Sequence, residues 1–182
     1  MKKLALFLSI ILIGLSQMTV AQKNKTQTPP QEKKRDSLPC EKFPKLPAFN
    51  LLAMDSSTIF NTYNIPEGKP TVLMFYSPDC DHCQHLAQQI MDHMDSLKNA
   101  EFYLLTPMTI AATKEFDAKY HVSDFKNMHL YKDYEFFFPH FYGANYVPYL
   151  AVYDKHKMLV KVYEGGSNMS VLIKAVNQAS ER

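Results

Sequence analysis

TVLMFYSPDCDHCQHLAQQIM, residues 71–91, carries two different periods. Thr71 to Tyr76 is a short apolar run, β-branched and aromatic in content, which favours a buried strand. After Ser77-Pro78-Asp79 the spacing changes. Cys83, Leu86, Ala87, Ile90, Met91, Met94 and Leu97 recur at helical intervals along one face. Cys80-Asp81-His82-Cys83 therefore sits where a strand hands over to a helix. Downstream, Phe102 to Leu105 reads as the next strand and Ala111 to Tyr120 as another helix. Strand, helix and strand over this length form a βαβ unit, whose right-handed crossover makes a parallel pair.

Further along, Met128 to Tyr131 is expected as a third strand and Tyr134 to Tyr142 as a helical or irregular insert. Tyr149 to Tyr153 and Met158 to Tyr163 flank Asp154-Lys155-His156-Lys157, the makings of a β-hairpin that Gly165-Gly166 ends. Val171, Leu172, Ala175, Val176 and Ala179 mark a last amphipathic helix. Upstream, Phe49, Leu51 and Leu52 suggest a short strand and Asp55-Ser56-Ser57 a turn. A βαβ half followed by a ββα half predicts an α/β domain over residues 46–182, with a mixed sheet and helices on both faces. There is no internal repeat, and five glycines leave little room for a phosphate-cradling loop.

The N-terminus differs from this domain. Lys2 and Lys3 precede an apolar run from Leu4 to Leu15, and Ser16 to Ala21 turns small and polar. These are the parts of a secretory signal peptide over residues 1–21, with the mature chain beginning at Gln22. The run is short of the roughly 20 apolar residues that span a bilayer, so no stable membrane span is expected in the mature form. An exported, periplasmic or otherwise extracytoplasmic location follows. Residues 22–45 are polar and proline-bearing without an apolar period, and are expected to be a flexible leader. Loss of Lys2 and Lys3 from the 20 basic residues leaves as many basic as acidic side chains. That balance lacks the basic footprint of a nucleic-acid binder.

The chemistry concentrates on Cys80 and Cys83. Free N–H groups and the dipole at a helix start favour the thiolate of Cys80 over its thiol, and the thiolate is the attacking species in disulfide exchange. Cys83, one turn further in on the buried face, is placed to resolve a mixed disulfide. Protonated His82 would favour the Cys80 thiolate, whereas Asp79 and Asp81 would oppose it by like charge. Three other readings compete. Two cysteines can form an inert disulfide in an exported protein. Soft thiolates beside His82 and His85 suit a copper-binding chaperone, although a structural zinc site would want a second ligand pair. A non-catalytic binding module would not need both cysteines at the helix start. The leading expectation is a protein thiol–disulfide oxidoreductase without cofactor or resident metal.

With these residues in view, the sequence resembles the thioredoxin superfamily, and most closely the TlpA/ResA-like exported thiol–disulfide oxidoreductases. The pieces run in family order from residue 46 to 181: Leu46-Pro47-Ala48-Phe49-Asn50-Leu51, Gly68-Lys69-Pro70, the TVLMFY strand, CDHC, then Val147-Pro148. The resemblance implies that Pro148 is cis and lies against the cysteine pair. It also implies that the backbone around Val147 pairs with an extended substrate segment beside Cys80. The partners it implies are disulfide- or thiol-containing envelope proteins, with a separate redox partner exchanging electrons with the pair. Three departures stand out. Asp79 replaces the aromatic residue that many members place before the first cysteine. Met74 stands where thioredoxin has a buried acid, and Tyr76 replaces a Trp. The CxHC ending is similar to oxidising members such as DsbA, whereas the layout is similar to reductases, and the layout tips the expectation toward a reductase or isomerase.

Three features lie outside this scheme. The aromatic stretch Tyr134–Tyr142 is expected to be mostly core, with an exposed apolar rim for a partner protein as the sharper possibility. His93, His121, His129 and His156 carry no motif and are expected at the surface. Cys40 falls within the expected leader, without a local partner.

Overall fold

The computed structural model of the protein describes residues 37–182. The expected signal peptide, and the expected leader up to residue 36, lie outside the described residues. In chain order the first elements are α1 (Pro39–Lys42), β1 (Asn50–Ala53), β2 (Ile59–Asn61), β3 (Thr71–Phe75), α2 (Asp81–Asp92), α3 (Met94–Leu97) and β4 (Glu101–Thr106). They are followed by α4 (Ile110–Tyr120), β5 (Met128–Lys132), α5 (Phe137–Tyr142), β6 (Tyr149–Tyr153), β7 (Leu159–Glu164) and α6 (Met169–Glu181).

The strands make one mixed sheet in the order β2-β1-β5-β4-β3-β6-β7. Every residue of β3 is buried, as expected of a strand covered on both faces. The parallel pair of the βαβ unit is β3 with β4, Val72 opposite Phe102 and Phe75 opposite Leu105. β4 pairs parallel with β5, while β6 runs antiparallel to β3 and forms the expected hairpin with β7. Side chains alternate along β3. Val72 and Met74 join Leu86, Ile90, Phe116 and Leu172, from α2, α4 and α6, in one core. Leu73 and Phe75 join Phe138 and Tyr142 of α5 in the other. Each large apolar side chain taken fully out of water there contributes about 1.5–3 kcal/mol.

The insert at Tyr134–Tyr142 is helical over its second half. Asp133, fully buried, accepts hydrogen bonds from the Phe137 and Phe138 N–H groups at 3.0 and 2.8 Å and so starts α5. Phe138 and Tyr142 are then wholly core, while Tyr134 and Phe136 stay exposed.

The leader is corrected at its C-terminal end. Cys40 is 1% exposed and belongs to the core beneath α5. α1 closes on itself through the Leu38 N–H, which donates to the Glu41 carboxylate at 3.1 Å. The Leu46 N–H then donates to the Lys157 carbonyl at 2.9 Å. The physical reason is that Leu38 and Cys40, two apolar side chains in a polar setting, suffice to fold a single turn inward. His129 is a second correction. It is half-buried, 4.8 Å from the Tyr103 ring, with Nε2 3.0 Å from the Glu101 carboxylate, because β5 places it beside β4.

Candidate active site

The C-terminal end of β3 delivers Ser77 to Cys80 onto the start of α2. Cys80 is the N-cap residue, in extended conformation, and its sulfur accepts the Cys83 N–H at 3.4 Å. A helix start leaves its first N–H groups without intrahelical partners, and here a thiol takes the place of the usual Ser, Thr or Asp. Cys80 is half-buried and Cys83 fully buried, and both are free thiols. Burial pushes the Cys83 thiol far above its ordinary range, and its hydrogen bond with Cys80 adds to the shift. The Ser77 backbone N–H donates to the Cys83 sulfur and acts in the opposite sense, while the Asp79 charge raises it further.

Facing the pair is the loop before β6. The Val147–Pro148 peptide bond is cis, and Pro148 is buried. The Val147 carbonyl oxygen lies 4.0 Å from Cys80 Sγ, at the limit for a thiol donor. Beside it runs an open groove of about 290 Å³, lined by residues that include His82, His85, Leu86, Pro148 and Gly166. Gly166 adopts a φ of +92°, and a Cβ there would stand 3.1 Å from Pro148 Cγ. The floor of the groove therefore needs glycine.

A thioredoxin-like domain model matches residues 63–180, most of the chain, with the cysteine pair and the Val147–Pro148 loop inside the match. The chain belongs to the thioredoxin-like family. No curated protein sequence matches it, but solved structures do. DsbF of MTB, solved in mixed oxidised and reduced forms, is 25% identical with a TM-score of 0.61, covering 72% of this chain and 94% of that one. A secreted Mycobacterium tuberculosis disulfide oxidoreductase homologous to E. coli DsbE is 18% identical with a TM-score of 0.60, covering 71% and 95%. The exposed lipoprotein thioredoxin of Streptococcus pneumoniae is 18% identical with a TM-score of 0.56, covering 72% and 99%.

Within this thioredoxin fold, Cys80, Cys83, Val147 and Pro148 come together. The other candidates stand at the margin. His82 is exposed and no hydrogen bond joins it to either sulfur. The Asp79 carboxylate accepts a hydrogen bond from the Ser77 hydroxyl, which holds it below the ordinary carboxylate range. Met74 is buried on the α2 side of the sheet, so the central strand brings no acid to Cys83. Among the described residues no three His, Cys, Asp or Glu side chains are grouped to hold a metal ion.

Three supporting residues, Gln84, Tyr120 and Glu164, escaped the sequence reading. Gln84 Nε2 donates to the Pro78 carbonyl at 2.7 Å, and the Tyr120 hydroxyl donates to Gln84 Oε1 at 2.7 Å. Glu164, at the end of β7, accepts the Asn145 and Tyr146 N–H groups at 2.9 and 3.2 Å. These contacts link separate parts of the chain, and no local spacing signals them.

Proposed function

We propose that this protein is an exported thiol–disulfide oxidoreductase that works on disulfide- or thiol-containing envelope proteins through Cys80 and Cys83, in the reducing or isomerising direction. The observation that carries the reading is the pairing of a half-exposed Cys80 at a helix start with a fully buried Cys83 directly behind it. Cys80 attacks one sulfur of a substrate disulfide, forming a mixed disulfide and releasing the first substrate thiol. Cys83 then loses its proton and attacks the Cys80 sulfur, releasing the second. The substrate gains two electrons and the pair becomes a disulfide, which a separate redox partner reduces again. Val147 and Pro148 present backbone beside Cys80, where an extended substrate segment can lie.

The likeness to DsbF at 25% identity supports exchange chemistry, and the secreted relative supports export. Among the described residues no helix is long and apolar enough to cross a membrane. The exposed position of His82, with no hydrogen bond to either sulfur, argues against the strongly oxidising extreme. The expected potential therefore lies between about −270 mV, the thioredoxin value, and about −120 mV, that of DsbA.

Trapping tests the order of attack. Cys83→Ala should accumulate mixed disulfides through Cys80, Cys80→Ala should accumulate none, and titration of the wild type against glutathione reads the direction. Trapping by Cys80→Ala instead would reverse the roles, and a potential near the DsbA value would make the protein an oxidant.

A further inference from the structure

Tyr146 is an aromatic side chain held out into solvent on the loop whose backbone faces the nucleophile. It is 71% exposed, although large aromatics are normally buried for the area they remove from water. It directly precedes Val147, whose carbonyl oxygen is 4.0 Å from Cys80 Sγ. Its backbone is not free to wander. One oxygen of the Glu164 carboxylate accepts both the Asn145 and the Tyr146 N–H, at 2.9 and 3.2 Å. The Asn145 side-chain amide donates back to the Gly143 carbonyl at 3.0 Å. Charge-assisted hydrogen bonds are about twice as strong as neutral ones, so the loop is held on both sides of its bend. Glu164 is followed by Gly165 and Gly166, which line the groove next to Pro148. One short segment therefore both fixes the Tyr146 backbone and lines the groove.

We infer that Tyr146 is a specificity-determining residue that docks an apolar side chain flanking the substrate disulfide. This rests on the exchange reading above and names the class of disulfide the site prefers. The occupant is an extended polypeptide carrying a large apolar or aromatic residue next to its cysteine. The position of Tyr146 argues for this. A polypeptide whose sulfur reaches Cys80 runs past Val147, and its neighbouring side chain then meets the residue before Val147. Tyrosine suits such contact because it offers a large amphipathic face and has few rotamers to lose. A backbone already tied to Glu164 lowers the ordering cost of binding further. The docked ring adds binding to the mixed disulfide and to the encounter that precedes it; no bond to Tyr146 forms or breaks.

The test compares two synthetic peptides, each with one intramolecular disulfide, identical except for Phe or Ser beside the attacked cysteine. Full-length protein is reduced beforehand, and the second-order rate of peptide reduction is measured for each. The wild type is expected to favour the Phe peptide about tenfold, the size of effect expected of an interface residue that matters but is not a dominant anchor. Tyr146→Ala should bring the ratio close to one, and Tyr146→Phe should keep it, since the ring and not the hydroxyl is used. Because the readout is a ratio within one variant, a partly destabilised protein still reports. A wild-type ratio near one, or a tenfold ratio that survives Tyr146→Ala, overturns the docking role. A wild type that reduces neither peptide overturns the exchange reading, and this proposal with it.

Discussion

At the scale of single residues, the site depends on side chains that tie the Cys80 loop to distant elements. Pro78 has no N–H, and its carbonyl would be left without a partner if Gln84 did not donate to it. The orientation of the Gln84 amide follows from the same pair of bonds. A backbone carbonyl can only accept, so Nε2 must face Pro78, leaving Oε1 to accept from the Tyr120 hydroxyl. Tyr120 is itself held by the Phe116 ring at 4.9 Å, with Lys119 Nζ 4.8 Å from its own ring centroid. Gln84→Leu removes both bonds and is expected to cost about 1–2 kcal/mol. Tyr120→Phe should cost less, and the double variant should lose little more than Gln84→Leu alone. Urea melts of the four proteins give the coupling energy, expected at about 0.5–1 kcal/mol. Strict additivity would mean that the two side chains act separately and that the chain from α4 to the Cys80 loop does not hold it.

At the scale of elements, β4 and β5 meet the start of β3 in a triplet of polar side chains at the end of the sheet away from the cysteines. Glu101 accepts from Lys69 Nζ at 2.6 Å and lies 3.0 Å from His129 Nε2. Burial alone would raise the Glu101 pKa, but Lys69 and His129 outweigh it and hold the carboxyl below its ordinary value. A depressed pKa means that the folded state favours the ionised form. The stabilisation is therefore present above the unfolded-state pKa and is lost as pH falls through the folded one. Lys69 is 55% exposed, so solvent screening limits the effect to about 0.5–1 kcal/mol. Glu101→Gln should lose that much at pH 7, and the gap to wild type should close as the carboxylate range is crossed toward acid. A gap that is constant with pH would assign the loss to packing. His129 shows why part of the fold was not legible in the sequence. Strands and helices with strong periods, from Thr71 to Leu97 and from Tyr149 to Ala179, could be read directly, because one buried face imposes one spacing. β2, three residues long, has no period to read, and the company His129 keeps depends on which strand lies beside it. The same distinction separates Cys80 and Cys83, two residues that announce themselves within one four-residue run, from Gln84, Tyr120 and Glu164, whose partners are brought by the fold.

At the scale of the whole molecule, the thioredoxin-like match begins at residue 63, yet the described domain begins earlier. The segment before it covers the α5 face of the sheet. Cys40 packs with Tyr142 and Tyr153 in one core, and the hydroxyls of those two tyrosines are 2.5 Å apart and fully buried. Burial also pushes the Cys40 thiol upward, with the Glu41 charge adding to it, so Cys40 behaves as a small apolar side chain rather than a reactive one. Leu38 seals the edge. A Cβ on Gly143, where α5 ends with a φ of +64°, would stand 2.6 Å from Leu38 Cδ2. Residues that read as leader from composition are therefore part of the lid over two buried tyrosines. A chain beginning at Leu46 would expose those rings and lose the burial of Cys40 and Leu38, about 2–4 kcal/mol in total. For a domain of this size the melting temperature should fall by about 5–10 °C relative to a chain beginning at Ser37. Cys40→Ser in the longer chain should lose part of the same stability, because it places a hydroxyl against the aromatic cluster. Thermal melts of the three proteins decide the matter: equal melting temperatures for the chains starting at 37 and 46 would return residues 37–45 to the leader.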